Sequence, residues 1–296
     1  MLPAPVPLAI SDGNRTLLFR HPAPPEGFRP LPASPELSVF DGLHPAIRAD
    51  TVAELGGVPI AVLLISGEKS PREWAAVAVH EAFHVFQRER HPSWWANEAE
   101  LLVYPVEDEE ILFLRRLEMI ALGEALSTRD PAGWAAAALA ARARRSSLMP
   151  EGAVAYERAI ELVEGLAQYV EATALDARVN PLSSADDVAV EEVRRYFYAT
   201  GHATALILDG LYPGWKHDLE GERVGSLDEL LRCIVVGVPP EPWERRESAG
   251  RGAGLNRRPA GYGPAGNASG GSSWGSGDGN SSWGVRRPCG PGDSIP

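Results

Sequence analysis

Cysteine is nearly absent from the 296-residue chain: Cys233 and Cys289 alone cannot make a disulfide framework. Long apolar runs are missing too. None approaches the about 18 residues of a bilayer-spanning helix, so no membrane partner is expected. The opening, Met1-Leu2-Pro3-Ala4-Pro5-Val6-Pro7-Leu8, has no basic stretch and is broken by prolines, unlike a secretory signal, so the expected compartment is the cytoplasm. Asn267-Ala268-Ser269 and Asn280-Ser281-Ser282 match the glycosylation pattern, but without such a signal they are read as fortuitous. Positive charge is scarce. A net charge of -12 and no extended basic run exclude nucleic acid as the expected partner.

With 44% hydrophobic and 23% charged residues, the chain can bury one sizeable core, which we place in a domain at 36–246. Residues 1–35 are punctuated by proline and read as an extended arm, with Arg15-Thr16-Leu17-Leu18-Phe19 a short strand. From 247 to 296 the composition turns to Gly, Ser, Asn and Arg, predicting a disordered tail. The only repeat is Ser-Ser-Trp-Gly, at 272–275 and 281–284. The segment at about 94–149 reads as a helical insertion. Residues 101–125 place apolar side chains at helical spacing, and the alanine-rich stretch 132–145 ends in Arg142, Arg144 and Arg145, cations suited to a helix C-terminus. Those arginines read as structural or intramolecular.

Chemistry concentrates at His80-Glu81-Ala82-Phe83-His84. Ser70-Pro71-Arg72-Glu73 predicts a helix starting near Pro71, with Ser70 as N-cap and Glu73 completing a capping box, and His91-Pro92 ends it. The helix is apolar almost all round and therefore interior. At about 3.6 residues per turn, His80 and His84 stand one above the other and can offer two ring nitrogens to one metal ion. Glu81, rotated by about 100°, can reach a water at that ion without ligating it, the position of a general base. Chance produces this pattern in roughly one or two of a hundred chains of this size, so coincidence is a weak rival. The plain structural alternative is a buried helix whose histidines bond to backbone or carboxylates.

Upstream, Val58-Pro59-Ile60-Ala61-Val62-Leu63-Leu64-Ile65 after Gly56-Gly57 reads as a strand. Strand followed by His-Glu-x-x-His helix resembles the gluzincin branch of zinc metallopeptidases. That resemblance implies an edge strand that aligns substrate, one bound Zn2+, and a glutamate ligand on a later helix. Glu164 fits it: Glu-Gly-Leu-Ala-Gln-Tyr at 164–169 looks like the second zinc helix of gluzincin-like families, where the glutamate before Gly-x-Ala is the ligand. The expected metal set is therefore His80, His84 and Glu164. Glu157, Glu161, Glu164, Gln168 and Glu171 also recur at a spacing near 3.5 and could be a solvated stripe, with Glu161 the reserve ligand. Gln168, Glu157 or Glu161 could hold a ligating ring through its second nitrogen. Gly165, costly inside a helix, predicts close approach to the first helix.

Tyr198 with Gly201 matches the Tyr-x-x-Gly of gluzincin-like sequences, and a neutral phenol can donate to a developing oxyanion. His202, one turn on, could do so if protonated; the bland alternative is an aromatic cluster of Tyr196, Phe197 and Tyr198. Two histidines and one glutamate leave a fourth zinc position for water, which favours hydrolysis over scaffolding. The expectation is a mainly helical α+β, zincin-like domain with a small sheet. It would hydrolyse peptide or other amide bonds with a peptide or protein as substrate. The alternative is a catalytically idle zincin-like domain acting as a binding or regulatory module; intact Glu81 argues against it. Substrate sequence and oligomeric state are not legible.

Overall fold

The computed structural model describes residues 5–49, 51–177, 180–182, 192–221 and 225–235. The tail at 247–296 and the end of the 36–246 domain lie outside these residues. The described chain is α+β, with a mixed sheet followed by helices. Six strands, β1 (Leu8–Ser11), β2 (Arg15–Phe19), β3 (Arg29–Leu31), β4 (Ser34–Asp41), β5 (Thr51–Leu55) and β6 (Val58–Leu64), lie in the order β3-β4-β2-β1-β6-β5. Only β1 and β6 run parallel.

Two expectations are corrected here. The segment 1–35 is not an arm set apart: β1, β2 and β3 come from it, and Ala9 and Leu18 are buried with Leu55, Ile60 and Val62 in one cluster. Alternating burial along β1 and β2 outweighs the prolines, because Pro22, Pro24 and Pro25 fall in the β2–β3 connection and Pro30 lies on the edge strand β3, where a missing N–H is tolerated. Strand β6 is not an edge either. Strand β1 covers one side of it through Leu8–Ala61 to Ser11–Leu64 pairing, and β5 covers the other. The edge nearest the helices is β5. Gly56 and Gly57 join β5 to β6 with φ of 57° and 78°, the left-handed conformations a two-residue hairpin demands.

Helix α1 (Pro71–Arg90) begins as its sequence dictates. The Ser70 backbone N–H donates to Glu73 Oε2 at 2.7 Å and the Glu73 N–H to Ser70 Oγ at 3.3 Å, closing the capping box. After short 3-10 segments at Pro92–Trp94 and Glu98–Val103 come α2 (Glu109–Ser127) and α3 (Pro131–Ser146). The helix expected from 101 starts later, because Pro105 interrupts it and Asp108 Oδ1 accepts the N–H groups of Glu110 and Ile111 as a new N-cap. Nor is 94–149 a separate insertion. Leu122, Ala125, Ala135 and Leu139 pack into the same core as Leu162, Leu166, Ala203, Leu208 and Trp215. Each fully buried leucine of this core contributes about 1.5–3 kcal/mol of burial free energy.

The next helix runs from α4 (Glu151–Ile160) through a π turn (Glu161–Gly165) into α5 (Leu166–Ala174), and α6 (Val193–Leu211), α7 (Trp215–Glu220) and α8 (Leu227–Val235) complete the described chain. Gly165 packs on α6, not on α1 as expected. A Cβ there would sit 2.7 Å from Gly201 Cα, and one on Gly201 would sit 2.7 Å from the Glu161 carbonyl oxygen. Only two facing glycines allow this approach of backbones. No helix among the described residues is long and apolar enough to cross a membrane.

Candidate metal centre

Helix α1 packs on β6 and α5, which brings its His80–His84 turn opposite the π turn. Glu164 Oε2 lies 3.8 Å from His80 Nε2 and 3.4 Å from His84 Nε2. All three potential ligand atoms fall within 4.8 Å of one another. Ligands about 2.0–2.1 Å from a tetrahedral zinc ion stand about 3.4 Å apart, so the spacing fits such an ion with little movement.

The hydrogen bonds behind the rings make the case stronger than the spacing does. Gln87 donates its side-chain amide to the carbonyls of Leu162 and Val163, at 2.8 and 3.1 Å, inside the π turn. That fixes which way the amide points. Gln87 Oε1, 2.8 Å from His84 Nδ1, can only accept, so Nδ1 carries the proton and Nε2 presents a lone pair toward Glu164. Glu171 Oε2, 3.0 Å from His80 Nδ1, fixes the neutral ring of His80 the same way. Both histidines are thus oriented as Nε2 ligands.

Electrostatics concentrate negative charge on this point. Burial opposes charge on His80, but hydrogen bonds to Glu164 and Glu171, with the nearby Glu81 charge, outweigh it and raise its pKa to about 9. Burial likewise opposes ionisation of Glu164, yet His80, His84 and Arg194 hold its pKa far below the usual carboxylate range. A pocket that favours an imidazolium so strongly also favours a divalent cation. Glu81, the residue after His80 on α1, is buried, and its charge is among the causes that raise the His80 pKa.

Helix α6 supplies the other wall. Arg194 Nη2 donates to Glu164 Oε1 at 3.0 Å and its Nε to the Tyr198 hydroxyl at 3.2 Å. Burial first, and then the Glu164 charge, push the Tyr198 pKa up to about 12, so its phenol stays protonated and able to donate. His202 departs from expectation. It is buried against Tyr169 and lines a cavity with Gln168 and Glu171, and burial lowers its pKa to about 4. It is neutral near pH 7 and cannot be the protonated donor.

The reserve roles fall away too. Glu161 is bonded to Arg142 and Thr200, and Glu157 to Tyr104 and Arg145, so neither faces the histidines. Gln168 sits in the wall beside Glu171 rather than on a ring nitrogen. The residues that do hold the rings, Gln87 and Glu171, were not singled out for it. Glu171 follows Glu164 by seven residues, a signal that was available; Gln87 depends on carbonyls of the distant π turn and carried none. Arg194 and Glu98 also escaped notice. A second, apolar cavity of about 240 Å³, lined by Phe83, Phe86, Trp94, Tyr169 and Trp215, includes none of the candidate ligands.

Compared with family models, with curated proteins and with solved structures, the chain matches none of them significantly.

Proposed function

We propose that the chain is a zinc-dependent hydrolase of peptide bonds, built on gluzincin-like, zincin-like lines. The observation that carries this reading is the pair of histidines held at Nδ1 by Glu171 and Gln87 so that both Nε2 atoms face the Glu164 carboxylate, with buried Glu81 on the same turn. His80, His84 and Glu164 would hold the ion. Zinc in that site would lower the pKa of a water toward 7 and polarise a carbonyl oxygen.

Glu81 takes the proton of the attacking water and returns it to the departing nitrogen, so the hydroxyl ends on the carbonyl carbon and the amine leaves neutral. Tyr198, kept protonated, donates a hydrogen bond to the oxygen that gains charge. Arg194 and Tyr198 together fix the outer oxygen of Glu164 and the phenol relative to each other. The order strand, His-Glu-x-x-His helix, glutamate helix supports the gluzincin likeness, although the strand before α1 is interior and an extended peptide would have to pair with β5 instead.

The test is metal analysis followed by turnover of a quenched peptide library. One zinc per chain and cleavage reduced about 10²–10⁴-fold in Glu81→Gln, with zinc retained, are expected. Full zinc with no Glu81-dependent cleavage would instead favour the idle binding module.

A further inference from the structure

Arg194 divides its guanidinium between the candidate ligand and a second carboxylate. While Nη2 and Nε hold Glu164 and Tyr198, Nη1 donates to both oxygens of Glu98, at 2.5 and 2.6 Å. The Tyr156 hydroxyl donates to Glu98 Oε2 at 3.1 Å. Two donors therefore converge on one anionic group immediately beside the candidate metal set.

The donors are fixed and their occupant is not. Tyr156 is fully buried, and Arg194 is pinned by Glu164 and Tyr198. The Glu98 side chain is 57% exposed and opens a 3-10 segment, Glu98–Val103, with no buried residue. Ion pairs this exposed hold weakly and exchange readily. An incoming carboxylate can take the same two donors.

We propose that the Arg194–Tyr156 seat binds the free C-terminal carboxylate of a peptide substrate, with Glu98 as the internal occupant that the substrate displaces. The proposal rests on the hydrolase reading and names its substrate class: the amide cut lies one or two residues from the C-terminus. One guanidinium separates the seat from Glu164, a span that one or two residues at about 3.3–3.6 Å each can bridge. Trp95, 45% exposed with its ring 6.4 Å from that of His84, offers an aromatic surface nearby for the side chain of the departing residue.

Paired peptides that differ only in a free or amidated C-terminus, given to the zinc-loaded full chain, test it. Cleavage of the free acid at least tenfold better in kcat/KM is expected, and that preference is lost through a raised KM in Arg194→Lys assayed at a zinc concentration that saturates the variant. Binding gives a second readout. N-acetyl-leucine should bind Glu98→Gln at least fivefold tighter than wild type by calorimetry in chelator-treated protein, whereas N-acetyl-leucinamide should bind both alike. Equal cleavage of acid and amide, or equal binding of the two probes, overturns the proposal while leaving the hydrolase standing. Zinc-loaded protein that cuts neither peptide overturns the hydrolase, and the binding comparison still decides the seat.

Discussion

Glu161 and Glu164 stand three residues apart in one π turn, and their surroundings differ in kind. Glu161 faces a closed cluster. Arg142 takes both its oxygens, Thr200 donates to it at 2.6 Å, and Arg142 and Arg145 reach on to Glu118 at 2.6 and 2.7 Å. Arg145 and Arg115 meet Glu157, and all six charged groups are buried. Burial opposes ionisation of Glu118, but Arg142 and Arg145 outweigh it and lower its pKa. Three cations answer three anions. Glu164 instead faces the two imidazoles of α1 through Oε2 and one arginine through Oε1. Glu161 is held by a guanidinium and a hydroxyl that have no role as metal ligands, whereas Glu164 meets two imidazoles that can exchange a proton for a metal ion.

The comparison breaks most sharply if the two glutamates are exchanged in effect. Glu161→Gln should destabilise the fold by about 3–5 kcal/mol, because it leaves Arg142 short of a buried partner. That lowers the melting temperature by roughly 10 °C in a domain of this size while zinc binding persists. Glu164→Gln should do the reverse, abolishing zinc binding while lowering the melting temperature of chelator-treated protein by less than Glu161→Gln does, because Glu164 and its partners His80 and Arg194 are only part-buried. Calorimetric melting and metal titration of both variants decide it, and loss of zinc in Glu161→Gln would refute the division.

A smaller effect tests the ring partners. Gln87→Ala should weaken zinc binding about 10–100-fold, whereas Gln168→Ala, in the wall of the neighbouring cavity, should leave it unchanged. Equal weakening in a competitive chelator assay would show that Gln87 does not set the His84 tautomer.

The smallest expected effect is a trend with pH. His80 has its folded pKa raised to about 9 from an ordinary 6.5, so its contribution to the stability of chelator-treated protein is complete below about 6.5 and fades as pH rises through 9. Zinc needs the neutral ring, so the gain in melting temperature on adding zinc should grow across that window. A gain that stays flat from pH 6.5 to 9 would remove His80 from the site.

Much of this site could be read along the chain because it rests on short-range rules. The capping box, the Pro71 start and the i,i+4 stacking of His80 and His84 need only contacts within one or two turns, and the structure places all three where the sequence predicts. Glu164 and Tyr198 came from a resemblance, and packing brings Glu164 to the histidines and Tyr198 to Arg194 and Glu164. The misread pieces depend on distant partners. The first 35 residues looked like an arm until β1 found β6 some fifty residues later, and the 94–149 helices looked like an insertion until α3 turned Arg142 and Arg145 onto Glu157 and Glu161.

The sequence by itself determined that one helix carries two stacked imidazoles and a carboxylate, because hydrogen bonding and helical period are local. That helix is less interior than its apolar sequence predicts, since only Ala76, Glu81, His84, Val85 and Gln87 of it are buried. Which glutamate meets those imidazoles was decided only by tertiary structure. The Gly165–Gly201 crossing and the π turn rotate Glu161 toward the arginines and Glu164 toward α1, and no local rule registers a rotation set by a helix that begins thirty residues later.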